Sequence, residues 1–113
     1  MFDRALIDQY RDVLGERGAR ELVDLFVQTL GERRAELRAA VDAGDLAEVS
    51  RVGHTIKGMA AAMGATELSA CGLALQQAIG ATPAEVAHLH ARFLGEAAAA
   101  LRGVRAAWKL PDP

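Results

Sequence analysis

Residues 54–64 read His-Thr-Ile-Lys-Gly-Met-Ala-Ala-Ala-Met-Gly, and this stretch carries the most informative pattern of the chain. On a helix of 3.6 residues per turn, the positions around His54 separate into two faces. The face opposite His54 is apolar and broad enough to pack against other helices. Its members are Val49, Val52, Ile56, Met59 and Met63. The face of His54 carries small residues and two cations, so the histidine is placed for chemistry rather than for filling a core. The members of that face are Ala47, Ser50, Arg51, Lys57, Gly58, Ala61 and Ala62.

Length and composition restrict the class of protein. A chain of 113 residues is expected to form one domain with a single core. Hydrophobic residues make up 51% and aromatic residues only 4%, and this alanine-rich balance favours helices over a sheet. The formal net charge of −2 provides no field that would attract nucleic acid or an anionic membrane surface. The single cysteine, Cys71, excludes an internal disulfide and a cysteine metal cluster.

Targeting signals are missing from the sequence as well. No apolar run approaches the ~18 residues that a membrane span needs. The first residues lack the basic-then-apolar order of a signal peptide. The sequence therefore predicts a protein of the cytoplasm that interacts with neither membrane nor nucleic acid.

Apolar periodicity and turn signals predict helices throughout. The expected bounds are 3–14 for a short N-terminal helix and about 19–43, 45–63, 66–79 and 83–108 for four longer ones, within one domain spanning 1–113. Because short connections join the longer helices, antiparallel neighbours are favoured. The predicted fold is all-α, an up-down-up-down antiparallel four-helix bundle with the short N-terminal helix across one end.

The helix ends have recognisable signals. Gly15 and Gly18 are expected to break the first helix. The run Asp45-Leu-Ala-Glu48 resembles a capping box at the start of the helix that carries His54. Thr66 is expected to cap the following helix. Thr82-Pro83-Ala84-Glu85 combines a cap, a proline at the first position and an acid at the third, and is the clearest helix start in the chain.

The spacing downstream of His54 resembles the signature of histidine-containing phosphotransfer (HPt) domains, and the similarity extends over most of the chain from about position 20. Two positions depart from the family pattern. Met59 stands where the family usually has a small residue, and Gly72 stands where it often has cysteine, with Cys71 one residue early. The matching positions are His54, Lys57, Gly58, Gly64, Ala65, Leu68, Leu75 and Gln76.

The resemblance implies a histidine phosphocarrier of a bacterial-type, two-component multistep phosphorelay. His54 would accept a phosphoryl group from a receiver-domain aspartate and pass it to another receiver. The implied partners are response-regulator receiver domains and a hybrid histidine kinase. The receiver would supply Mg²⁺, because no carboxylate shares the His54 face and the chain has no nucleotide-binding motif. The chain itself is expected to bind no cofactor or metal and to have no autonomous kinase activity.

The residues near His54 receive distinct roles in this hypothesis. A neutral imidazole is a competent nucleophile near neutral pH. Lys57 lies on the same helix face and would supply positive charge to the phosphate, with Arg51 a second candidate. The family's corresponding position implies that Gln76 supports the imidazole or a phosphoryl oxygen by a hydrogen bond. Partner docking is assigned to the small residues of the face. These are Ser50, Gly58, Ala61 and Ala62.

Three hypotheses from different classes stay open on the sequence alone. The first is the phosphocarrier, expected to be a monomer because its site lies exposed on one self-contained bundle. The second is a regulatory module that binds a receiver or kinase without relaying phosphate. The third is a helical scaffold in which His54 is coincidental. Mixing the chain with a phosphorylated receiver and measuring its mass would distinguish them.

Overall fold

The computed structural model describes residues 1–111, and these form four α-helices joined by short connections. The helices are α1 (Arg4–Ala43), α2 (Leu46–Ala62), α3 (Thr66–Gln76) and α4 (Pro83–Ala107). This confirms the predicted all-α class. The predicted domain extended to position 113, and positions 112–113 lie outside the described residues.

Each helix packs against two others, and one core fills the space between them. Helix α1 contacts α2 and α4, and α3 contacts the same two. On α2 the predicted apolar face points inward: Val49, Val52, Ile56 and Met63 are buried, and Met59 is partly buried against the core. No helix in residues 1–111 combines the length and the apolar character that crossing a membrane requires.

Helix α1 is interrupted at a single residue. Gly15 has φ 71° and ψ 179°, a conformation that redirects the chain and that suits a residue without Cβ. Residues 16–18 were expected to lie outside a helix, but they are helical, because a new helical segment starts directly after this one residue. Gly18 therefore lies in the first turn of this new segment and is not a second break.

The N-terminal segment and the end of α4 both contact the turn between α2 and α3. The Asp3 backbone N–H donates to the Gly64 carbonyl at 2.7 Å. Trp108 is fully buried, and its indole Nε1–H donates to the Met63 carbonyl at 3.1 Å. The Tyr10 ring stacks on the Trp108 ring with centroids 6.1 Å apart. These contacts hold the N-terminal segment and the end of α4 against the turn that follows the helix of His54.

The two predicted capping boxes have different outcomes. At α4 the box is complete, with Thr82 and Glu85 each bonded to the other's backbone N–H. At α2 the Asp45 carboxylate accepts from the Glu48 backbone N–H at 3.1 Å. The Glu48 carboxylate is bound instead by Arg51, so the second half of this box does not form.

Helix α3 is shorter than predicted. Its N-cap position is Ala65, and the predicted cap, Thr66, is its first helical residue, with a side-chain hydroxyl that donates to the Met1 carbonyl at 2.9 Å. The helix ends at Gln76 rather than at position 79, and Gly80 with φ 88° then turns the chain toward α4. The carbonyl of Gln76 therefore belongs to the last turn, where helix carbonyls need partners from outside the helix.

Helices α2 and α3 come closest at two facing glycines, Gly53 and Gly72. A Cβ added to Gly72 would lie 2.4 Å from the Lys57 backbone nitrogen and 2.8 Å from the Gly53 carbonyl oxygen. A Cβ added to Gly53 would lie 2.5 Å from the Gln76 backbone nitrogen. At both positions the nearest opposing atom belongs to the backbone, which cannot move aside as a flexible side chain can. A side chain at either position would force the two helices apart.

Two serine hydroxyls bond across this contact, one on each side of the glycines. The Ser50 hydroxyl on α2 donates to the Gln76 carbonyl at 2.6 Å, and the Ser69 hydroxyl on α3 donates to the Lys57 carbonyl at 3.0 Å. Ser50, near the start of α2, bonds to Gln76 at the end of α3, whereas Lys57, further along α2, bonds to Ser69 near the start of α3. The two helices therefore run in opposite directions. We call the four residues the α2–α3 seam. They are Ser50, Gly53, Ser69 and Gly72.

Substituting Gly72 by Ala tests the seam. We expect the free energy of unfolding to fall by about 1–3 kcal/mol, the usual range for overpacking a close contact, measured by urea denaturation. Gly31→Ala is the matched control, because Gly31 lies in α1 with nothing within 4 Å of an added Cβ. That variant should gain up to about 1 kcal/mol from helix propensity. Equal stability of the two variants would contradict the close approach.

Candidate functional site

His54 lies exposed on α2, and its ring contacts α3. The imidazole Nδ1 is 3.3 Å from the Gln76 side-chain Oε1. An amide oxygen can only accept, so this contact is a hydrogen bond in the tautomer whose ring hydrogen lies on Nδ1. In the neutral ring Nε2 then carries the lone pair. The fold thus brings together two residues that are 22 positions apart, in an arrangement that favours the ring tautomer with its lone pair on Nε2.

Lys57 is half-buried one turn after His54, and the fold fixes its backbone. Its carbonyl accepts from Ser69, and its backbone nitrogen faces Gly72. Among residues 1–111 its ammonium group has no ion-pair partner. A cation without a partner on a fixed backbone is suited to bind an incoming anion, which is the role that the sequence predicted for it.

Arg51, the second candidate cation, is bound by carboxylates of the chain itself. Its Nε donates to both Glu48 oxygens, at 2.9 and 3.1 Å, and its terminal nitrogen lies 3.4 Å from Glu36 on α1. The hydrogen bond from Arg51 lowers the pKa of the Glu48 carboxyl, and the same bond raises the pKa of Arg51. In this structure Arg51 therefore links α2 to α1, and a role toward phosphate stays a prediction.

The residues assigned to partner docking fall into two groups. Gly58, Ala61 and Ala62 are exposed, and a Cβ at Gly58 would meet nothing within 4 Å. Ser50 is half-buried, and its hydroxyl donates to the backbone carbonyl of Gln76 at the end of α3. The fold therefore leaves three of the four positions with a clear approach to a partner and turns the polar group of the fourth inward.

An open apolar groove between α1 and α2 continues from the three exposed small residues. Ala62 belongs to both surfaces. On the opposite wall Leu25 is 58% exposed, an unusual fraction for a large apolar side chain. The groove residues are Leu22, Leu25, Phe26, Thr29, Met59, Ala62 and Met63. Met59, which departs from the family pattern, forms part of this groove while packing on the core.

Sequence reasoning missed several residues that shape the site. Gly53 and Gly72 determine how closely α3 approaches His54, and a glycine inside a predicted helix was a signal that could have revealed them. The Ser69 hydroxyl bond had no such signal. Glu36 reaches Arg51 across 15 positions on a neighbouring helix, and no local pattern indicates that pairing.

Two further kinds of side chain could have a chemical role, the single cysteine and residues that bind metals. Cys71 is buried, and burial raises the pKa of its thiol, which keeps it neutral and unreactive. Within residues 1–111 there is no group of three or more His, Cys, Asp or Glu residues that could hold a metal ion. That the chain acts without a cofactor of its own stays a prediction.

Comparison with known proteins gives one match. The sequence model of the Hpt domain matches residues 21–107, which cover helices α2 to α4 and most of α1. No curated protein and no solved structure matches the chain significantly. The family match includes every position through which the motif around His54 resembled this family, and it confirms that resemblance.

Proposed function

Because the chain belongs to the Hpt domain family, we propose that it is a histidine phosphocarrier of a two-component multistep phosphorelay. His54 accepts a phosphoryl group from an aspartate of one receiver domain and passes it to another receiver. The contact between His54 Nδ1 and Gln76 Oε1 is the observation that carries this proposal. It supports the tautomer in which the exposed imidazole has its lone pair on Nε2, the nitrogen that we propose as the nucleophile.

The proposed transfer balances without a base in this chain. A bond forms between Nε2 of His54 and phosphorus as the bond between phosphorus and the aspartate oxygen breaks, which releases a carboxylate. Nδ1 keeps its proton, so the phosphorylated ring is a cation whose N–H still donates to Gln76. The ammonium of Lys57 offsets negative charge on the phosphoryl oxygens. Transfer to the second receiver is the reverse of this step.

The receiver is proposed to dock over the exposed face of α2 beside His54. Gly58 and Ala61 leave space for an approaching backbone, and Ala62 joins this face to the apolar groove of α1. Since the Hpt family acts with receiver domains, we propose that the receiver supplies the Mg²⁺. The hybrid histidine kinase would then provide one of the receivers.

The finer points of architecture belong to the same proposal. The ring of contacts α1–α2–α3–α4–α1 and the opposite directions of α2 and α3 support an up-down-up-down bundle. The site lies on the surface of one chain, which supports action as a monomer. We propose that the chain acts in the bacterial cytoplasm, where receivers and kinase output domains meet.

The first functional test is phosphorylation of the chain. Mixed with a phosphorylated receiver, the chain should gain the mass of one phosphoryl group, as a phosphoramidate that is lost in acid and retained in mild base. His54→Gln should gain none. Incubation with ATP and Mg²⁺ alone should give no label. Peptide mapping that places the label on Ser50 or Thr55 would overturn the proposal, and receiver binding without any label would favour the regulatory module.

The second test concerns the charge of Lys57. Lys57→Ala should slow transfer about ten- to a hundredfold, because one charge-assisted contact contributes about 1.5–3 kcal/mol. Receiver affinity, measured by calorimetry, should change little. The matched control is Lys109→Ala, which removes the other lysine of the chain, an exposed residue paired with Asp8. Equal transfer rates in the two variants would remove Lys57 from the mechanism.

The third test concerns the space above Gly58. Gly58→Gln should stabilise the fold by up to about 1 kcal/mol, since glycine is the poorer helix former and nothing opposes a side chain there. Transfer and receiver affinity should nonetheless both fall steeply. Gly95→Gln on α4 makes the same change at another open helical glycine and should leave both unchanged. Normal transfer by Gly58→Gln would place docking on a different face.

A further inference from the structure

We propose that Ser50 is a positioning residue, which fixes Gln76 and through it holds the His54 ring in the tautomer with the lone pair on Nε2. The effect on the ring is a property of the free protein. Only its consequence for phosphoryl transfer rests on the function proposed above.

Ser50 and His54 bind the same residue of α3 from successive turns of α2. The Ser50 hydroxyl donates to the backbone carbonyl of Gln76 at 2.6 Å, and His54 Nδ1 contacts the side-chain Oε1 of Gln76 at 3.3 Å. Residues four positions apart on a helix lie on one face. One face of α2 therefore binds Gln76 twice, once through its backbone and once through its side chain.

Gln76 depends on this outside support because it is the last residue of α3. The final carbonyls of a helix have no partner within the helix. The hydroxyl of Ser50 bonds to this carbonyl, and on the other side the Gln76 backbone nitrogen lies directly over Gly53, where an added Cβ would be 2.5 Å away. Ser50 and Gly53 together fix the backbone of Gln76 relative to the helix that carries His54.

The loss of the Ser50 hydroxyl would change the tautomer of His54, because the imidazole can exchange its hydrogen and the Gln76 side chain can move. A neutral imidazole that nothing constrains exchanges its hydrogen between Nδ1 and Nε2. A glutamine side chain on a loosened helix end no longer presents its oxygen at one place. Removing the Ser50 hydroxyl should therefore lower the population of the Nδ1–H form, although Ser50 itself does not touch the ring. The sequence assigned Ser50 to partner docking, whereas its hydroxyl points to α3.

The direct test is ¹⁵N NMR of the His54 ring in the unphosphorylated full chain at about pH 8, where an ordinary histidine is neutral. The wild-type protein should show mainly Nδ1–H. In Ser50→Ala the ratio of Nδ1–H to Nε2–H should fall about three- to tenfold, the loss expected for one ordinary hydrogen bond. Ser50→Thr keeps a hydroxyl and should restore the wild-type ratio.

Ser69→Ala is the matched control, because it removes the other serine bond of the α2–α3 seam, the one to the Lys57 carbonyl. It should lower the melting temperature about as much as Ser50→Ala and leave the ring tautomer unchanged. A wild-type tautomer ratio in Ser50→Ala would overturn the proposal. An equal shift in Ser69→Ala would also overturn it, because general loosening of the seam would then be the cause.

A double-mutant cycle on the transfer rate separates positioning from partner contact. Ser50→Ala should slow transfer about three- to tenfold in the wild-type background and have no further effect in Gln76→Ala, because it acts through Gln76. Equal slowing in both backgrounds would make Ser50 a partner contact and overturn the positioning role. Should the wild-type chain accept no phosphoryl group, the proposed function fails, and the NMR measurement still decides the role of Ser50.

Discussion

The backbone contact between α2 and α3 at Gly53 and Gly72 is the constraint on which the geometry of the site depends. With no side chain on either glycine, the two helices approach until backbone atoms face each other. At this distance a serine hydroxyl can reach a carbonyl of the opposite helix, and the Gln76 side chain can reach the His54 ring. Glycine lowers helix propensity at both positions, and the bonds that the close approach allows offset this loss. The departure from the family pattern at Gly72 thus has a steric reason.

The two cations on the His54 face have different surroundings, because only Arg51 is bound by carboxylates of the chain. Arg51 is bound by two carboxylates and joins α2 to α1, whereas Lys57 has no ion-pair partner within residues 1–111. Helix position alone makes the two residues equivalent, since each is three positions from His54. The difference arises from the neighbours, because Glu48 and Glu36 lie on the side of Arg51. An anion that approaches the ring therefore meets one unpaired cation, held on a backbone that Ser69 and Gly72 fix.

The surface of α2 beside His54 is open at Gly58 and exposed at Ala61 and Ala62. Gly58 has free space above it, while Gly53, five residues earlier and on a different face of the helix, is closed by α3. The same residue type thus serves opposite purposes on different faces of α2, admitting a neighbouring helix at one position and leaving room for a partner at the other. The groove that begins at Ala62 extends the open surface with apolar side chains of α1.

The sequence by itself determined the helical class, the buried face of α2, the start of α4 at Thr82 and the spacing of His54, Lys57 and Gly58 that matches the Hpt domain family. These features depend on residues within one or two turns of each other, where helical geometry fixes the relation. Only the tertiary structure decided that α3 ends at Gln76, that Glu36 forms an ion pair with Arg51, and that the Ser50 hydroxyl donates to α3. The partners in these contacts lie on different helices, 15 and 26 positions apart. Helical periodicity predicts the face of the helix on which a residue lies. The packing of the helices against each other decides which groups of the neighbouring helix that residue contacts.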